Sequence, residues 1–195
     1  HGQIRRQRQM CIRDRITGAQ CSFSVGAIQE NKETILNCFE EAESVESDIV
    51  IFPELAITGY PPEDLLLRES FIGKNFAVLE EIAAFSSHTS GVIGFVDRKN
   101  DPHNQDNNKR TIANAAAIVQ NGDVRGIYHK SFLPNYSVFD EARYFSKGTE
   151  PNTLFWYDDI AIGINICEDI WIEDGPAEEQ VKQGASLIIN INASP

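Results

Sequence analysis

Two kinds of apolar pattern alternate along this chain, and that alternation limits what it can fold into. DIVIFP (48–53) is a continuous apolar run of strand length, as expected for a strand covered on both faces. GVIGFVD (91–97), IANAAAIVQ (112–120), TLFWY (153–157), IAIGINI (160–166) and SLIININ (186–192) read as further strands, and ITGAQ (16–20) as a short first one. Between them the period changes. Ile35, Leu36, Phe39, Ala42 and Val45 recur at helical spacing, with Asn31 as the expected cap. A second helix is expected over 70–86, on Phe71, Val78, Leu79, Ile82 and Phe85, and a short third one over AEEQVKQGA (177–185). IANAAAIVQ and VRGIYHK (124–130) flank Asn121-Gly122-Asp123, a hairpin signal. Helices alternating with strands, some paired as hairpins, predict an α/β fold with a mixed sheet. The stretches 98–110, which is polar, and 131–151, which has little periodicity, read as loops; one as long as the second is usually functional.

Charge narrows the partners. The 195 residues carry a formal net charge of -12, unevenly placed. Residues 1–15 hold five arginines against one aspartate, so they carry +4 and the rest carries -16. So acidic a body is a poor binder of nucleic acid or of an anionic membrane, and a small molecule is the expected partner. No apolar run reaches the length of a membrane span. The four cysteines, Cys11, Cys21, Cys38 and Cys167, form no C-x-x-C pair and no disulfide framework, which predicts a reducing, cytoplasmic setting. Residues 1–15 show no clear period, and MCIRDR is what a transposase adapter used in sequencing libraries would encode. They are expected to be a non-native or disordered arm, with one domain over 16–195.

Three polar residues each close a strand-like run: Glu54 after DIVIFP, Lys130 after VRGIYH, and Cys167 after IAIGINI. Strand ends are where ligands gather in open α/β sheets. Taken singly, each has a bland reading: a surface or capping carboxylate, a solvated lysine, a buried small hydrophobe. Cys167 is followed at once by Glu168 and Asp169, whose charge opposes its ionisation. Together, however, the three form a working set. A carboxylate can take the thiol proton, and an ammonium can offset negative charge and hold an oxyanion. His129 is a rival to Lys130, but neighbours in a strand face opposite sides, so only one of them can share the nucleophile's face. Glu63-Asp64 and Glu168-Asp169 lack a His or third carboxylate at metal-ligand spacing, so no metal is expected, and no Gly-rich phosphate loop is present.

These residues lie in blocks that resemble the nitrilase, or carbon–nitrogen hydrolase, superfamily: FPELAITGYPPEDLL (52–66), HKSFLPNYSVFDEARYFSKG (129–148), GINICEDIW (163–171) and the ending NINASP (190–195). The resemblance covers about 16–195. Within the superfamily, GYPPEDLLL and LPNYSVFDEARYF look most like the glutaminase domains of glutamine-dependent NAD synthetases. It implies a four-layer α-β-β-α sandwich of the nitrilase type, incomplete at the C-terminus, and hydrolysis of L-glutamine. It implies that Glu54 is the general base, Lys130 the oxyanion-stabilising cation, Cys167 the nucleophile and Glu141 a supporting glutamate. Tyr136, Glu168 and Ser194 match positions that hold the substrate. The glutaminase domain needs no cofactor; ATP and Mg belong to a C-terminal synthetase domain, absent here, which makes NAD, and the full-length protein is expected to be a homo-oligomer. Because the chain stops before the family's domain does, it is expected to be marginally stable and weakly active. The rival expectations are a stand-alone amidase or nitrilase of the same superfamily and a non-catalytic α/β binding scaffold.

Overall fold

In the computed structural model, residues 14–99, 111–135, 140–149 and 154–193 are described. The elements follow the order β1 (Ile16–Gly18), α1 (Ile28–Ser44), β2 (Ile49–Ile51), α2 (Glu69–Phe85), β3 (Ser90–Lys99), β4 (Thr111–Gln120), β5 (Asp123–His129), β6 (Leu154–Tyr157), β7 (Ile160–Ile166), α3 (Pro176–Lys182) and β8 (Leu187–Ile191). They build two sheets, one in the order β1-β2-β3-β4-β5 and one in the order β6-β7-β8. In the first, β1, β2 and β3 are parallel, while β4 and β5 return antiparallel. In the second, β6 pairs antiparallel and β8 parallel with β7.

Alternation along the strands sorts side chains into two cores. Val50, Ile93, Ala115, Ala117 and Val119 pack with Ile35 and Phe39 of α1 and Ile82 of α2. The intervening residues Ile49, Val92, Ala116 and Ile118 face the other way, onto Ile162, Ile164 and Ile166 of β7 and Ile189 and Ile191 of β8. The first sheet is therefore covered on both faces, which is why its runs are continuously apolar rather than alternating. The run of alanines in β4, all 0% exposed, fits a strand pressed from both sides. On the outer face of the second sheet, a Cβ on Gly163 would lie 2.6 Å from Gln180 Oε1, so α3 sits directly on β7. Gln180 donates to the Ile164 carbonyl at 2.8 Å. The layers are thus helix, sheet, sheet, helix, the α-β-β-α order that the resemblance implies.

The predicted hairpin forms, with Asn121 (φ 51°) and Gly122 (φ 84°) both left-handed as a tight two-residue turn requires. One local reading changes. Asn31 does not cap α1, which begins earlier at Ile28 with Ala27 at its N-cap. It is 2% exposed, accepts from the Ser24 N–H at 2.9 Å and donates to the Ser24 and Ile57 carbonyls at 2.9 and 3.1 Å. An asparagine near a helix start suggests a cap locally; here two loops supply better partners. Of the expected N-terminal arm, residues 1–13 lie outside the described residues. Arg15 is tied to the domain: its N–H donates to Asp48 Oδ2 at 2.7 Å and its carbonyl accepts from the Asp48 N–H at 2.9 Å. No helix among the described residues is long and apolar enough to cross a membrane.

Candidate active site

Glu54 stands three residues beyond β2, in the turn that leaves the sheet. Lys130 is the first residue after β5, and Cys167 opens a 3-10 turn (Cys167–Trp171) directly after β7. All three therefore sit at carboxyl ends of strands. The two sheets meet there: the Glu54 N–H donates to the Asn192 carbonyl, just past β8, at 3.4 Å, and the Ala193 N–H donates to Glu54 Oε2 at 3.2 Å.

Lys130 is 0% exposed and its ammonium lies between two buried carboxylates, 2.6 Å from Glu54 Oε1 and 2.9 Å from Glu141 Oε1. Glu141 begins a short 3-10 turn (Glu141–Arg143) in the long segment after β5. Burial pulls the lysine downward, but the charges of Glu54 and Glu141 outweigh it and hold the lysine above its ordinary value. Burial, then repulsion from Glu54, pushes the Glu141 carboxyl upward, against the pull of Lys130. With both carboxylates ionised, one ammonium would leave the cluster one negative charge in excess. Such a group costs several kcal/mol to bury unless its bonds are well made.

Two further residues complete those bonds. Asn114, 1% exposed on β4, donates to Glu54 Oε1 at 2.7 Å and to Glu141 Oε2 at 3.3 Å. The Tyr60 hydroxyl donates to Glu141 Oε1 at 3.3 Å. Its proton is held above the ordinary tyrosine range by burial, then by the charges of Glu141, Glu54 and Cys167, so the thiol lies within electrostatic reach of the cluster. Asp169, 0% exposed, accepts from Tyr128 Oη at 2.8 Å and from the N–H groups of Ser131, Phe132 and Ile166 at 3.1, 2.8 and 3.2 Å. It thereby ties the segment after Lys130 to the segment around Cys167. Sequence reasoning missed Asn114 and the role of Asp169. The available signal for Asn114 was a lone amide inside the apolar run IANAAAIVQ.

Cys167 has φ of 46°, a left-handed backbone that non-glycine residues seldom adopt. Strain of this kind persists only where the surroundings over-determine it. Asn190 contributes by donating to the Cys167 carbonyl at 3.3 Å and to Asn165 Oδ1 at 2.6 Å. His129 points away from the cluster, with Nε2 2.7 Å from Asp97 Oδ2, as strand alternation requires. Glu168 is half-buried beside Cys167; Tyr136 and Ser194 lie outside the described residues. Among the described residues no group of three His, Cys, Asp or Glu side chains is placed to hold a metal. A cavity of about 390 Å³ opens onto Glu54 and Tyr60, walled also by Phe23 and Asn192.

The geometry can be set beside known proteins. The glutamine-dependent NAD(+) synthetase of Aquifex aeolicus is 41% identical over 180 residues, which cover 92% of this chain and 30% of that protein. The synthetase of the same name from Thermotoga maritima is 39% identical over 187 residues, again 30% of its length. This chain thus spans about 30% of these relatives. The solved structure of the Acinetobacter baumannii glutamine-dependent NAD+ synthetase in complex with ADP superposes with a TM-score of 0.80 at 35% identity, over 92% of this chain and 32% of that one. An amidase from Nesterenkonia sp. shares the fold, with a TM-score of 0.76 at 21% identity over 93% of this chain and 65% of its own. The family model for carbon-nitrogen hydrolases matches residues 15–195, spanning both sheets and every strand end described above, and the chain belongs to that family.

Proposed function

We propose that this chain is the glutamine-hydrolysing part of a glutamine-dependent NAD synthetase, and that it releases ammonia from L-glutamine through a thioester on Cys167. The observation that carries the reading is the wholly buried Lys130, pinned between Glu54 and Glu141 where the strand ends of both sheets meet. The named relatives supply the choice of substrate. Glu54 accepts the Cys167 proton as Sγ attacks the carbon of the side-chain amide. The carbonyl electron pair moves onto oxygen, and that oxyanion is held by the Lys130 ammonium and the Glu168 N–H. Collapse expels ammonia, which leaves with the proton from Glu54. The same carboxylate then takes a proton from water, whose oxygen attacks the thioester carbon; the C–S bond breaks, Glu54 returns the proton to the Cys167 sulfur, and glutamate departs. Glu141 and Asn114 are positioning residues that hold Lys130 and Glu54; Tyr136, Glu168 and Ser194 hold the substrate. The ammonia passes to a synthetase domain using ATP and Mg, which amidates nicotinic acid adenine dinucleotide in a cytoplasmic homo-oligomer. The hydrolase domain is assigned to 16–195.

A glutamine-mimicking chloroketone tests the site. It is expected to alkylate Cys167 in the folded protein and to fail in Glu54→Gln at neutral pH, as read by peptide mass. An unlabelled Cys167 in the unmutated protein would end the covalent reading and favour a binding scaffold. Hydrolysis of a short aliphatic amide with higher kcat/KM than L-glutamine would shift the assignment to a stand-alone amidase.

A further inference from the structure

Cys21 and Cys38 take no part in the proposed mechanism, yet their sulfurs lie 3.4 Å apart. Cys21 sits in the loop between β1 and α1, and Cys38 lies in α1. Both are half-buried thiols. A disulfide bond is about 2.05 Å long, so closing the gap needs a movement of little more than an ångström. Cys21 also lines the cavity onto which Glu54 and Tyr60 open. A small molecule in this cavity therefore shares it with a thiol that has a second thiol in contact with it.

We infer that Cys21 and Cys38 are a redox site: a small-molecule disulfide converts them reversibly to a Cys21–Cys38 disulfide that fastens the wall of the Glu54 cavity to α1. The exchange balances. The Cys21 sulfur, deprotonated, attacks one sulfur of the reagent; the reagent's S–S bond breaks, and one half leaves as a thiolate that takes up a proton. The Cys38 sulfur, giving up its proton, then attacks Cys21 in the mixed disulfide and expels the second half as a thiol. Two protein thiols are oxidised, and one small disulfide is reduced to two thiols. The order of attack follows from position, because Cys21 faces the cavity and Cys38 stands behind it. The Cys38 thiol is also pushed up to about 12 by burial and by its contact with Cys21, which disfavours it as the first attacker. Asn31 already fixes one end of this loop through Ser24, so a bond at Cys21 would fasten it at a second point. The inference does not depend on which amide the site takes.

The test equilibrates the protein in buffers of graded reduced-to-oxidised glutathione, quenches in acid, alkylates and maps peptides by mass. A linked peptide pair containing Cys21 and Cys38 is expected, lost again on reduction. In Cys38→Ser the link is expected to vanish and glutathione to remain on Cys21. If both cysteines stay open to alkylation at the most oxidising ratio, or if Cys21 links to Cys167 instead, the inference falls. Hydrogen exchange reads the second half. Amides of the loop between β1 and α1 are expected to exchange several-fold more slowly in the oxidised protein, and unchanged exchange would refute the fastening. Neither readout involves amide hydrolysis, so failure here and failure of the proposed function are separable.

Discussion

Lys130 shows how much one side chain depends on its company. A buried ammonium is tolerated because Glu54 and Glu141 accept from it, and the two carboxylates are tolerated because Lys130 and Asn114 donate to them. Replacing Lys130 with Met removes the ammonium that bridges a pair of buried carboxylates. The expected loss is about 3–5 kcal/mol, the usual cost of leaving buried charge uncompensated. Urea unfolding measures it, and a loss below about 1 kcal/mol would contradict this account of the cluster. Asn114→Leu keeps the branching but removes two donors. It is expected to cost about 1–3 kcal/mol and to slow Cys167 alkylation while the fold persists, as read by circular dichroism and peptide mass.

Elements aim these residues, and the aim depends on close backbone approach. A Cβ on Gly94 of β3 would lie 2.3 Å from Leu55 N and Pro53 O, the backbone on either side of Glu54. Gly94→Ala is therefore expected to push the Glu54 turn off the sheet, with a loss of about 1–3 kcal/mol or more and of Cys167 alkylation. Gly73, on the exposed face of α2, has nothing within 4 Å of a built Cβ. There the same substitution is expected to stabilise by about 0.5–1 kcal/mol, because alanine loses less chain entropy in a helix. Opposite signs at the two glycines in thermal unfolding would support the claim; equal signs would not. The elements themselves were largely legible in the sequence, since strand and helix periods are local properties. The cap assigned to Asn31 was not, because a local cap and a tertiary tie use the same side chain.

Several groups of the fold keep their protons into the alkaline range. Burial and the Asp169 carboxylate raise Tyr128, burial and its acidic neighbours raise Tyr60, and Glu54 and Glu141 raise Lys130. Burial and Asp48 push Tyr157 up to about 12, and Cys38 rises to a similar value. Each keeps its proton in the folded chain to a higher pH than in the unfolded chain. The unfolded state then binds fewer protons, and stability falls as pH rises. The window opens near 9.0, the ordinary value for the Cys38 thiol, and widens above 10.0, where unfolded tyrosines ionise. Tyr128 alone, 2% exposed, contributes a slope of at most about 1.4 kcal/mol per pH unit. Urea unfolding at about pH 8 and about pH 11 is expected to show a clear drop, and an unchanged midpoint would refute the assignment.

The sequence by itself determined the class of fold and the three strand-end residues Glu54, Lys130 and Cys167. Those follow from apolar period and from what interrupts it, both of which a short window contains. Alternation allowed only one of His129 and Lys130 on the nucleophile's face, and the structure turned His129 to Asp97 instead. Only the tertiary structure decided that Asn114 and Tyr60 hold the carboxylates, that Asp169 ties the loop after Lys130, and that Cys21 meets Cys38. Asn114 and Glu54 are 60 residues apart, and Tyr60 and Glu141 are 81 apart. Such contacts come from the packing of two sheets and the register between strands, and no local pattern records which distant side chain a strand will face.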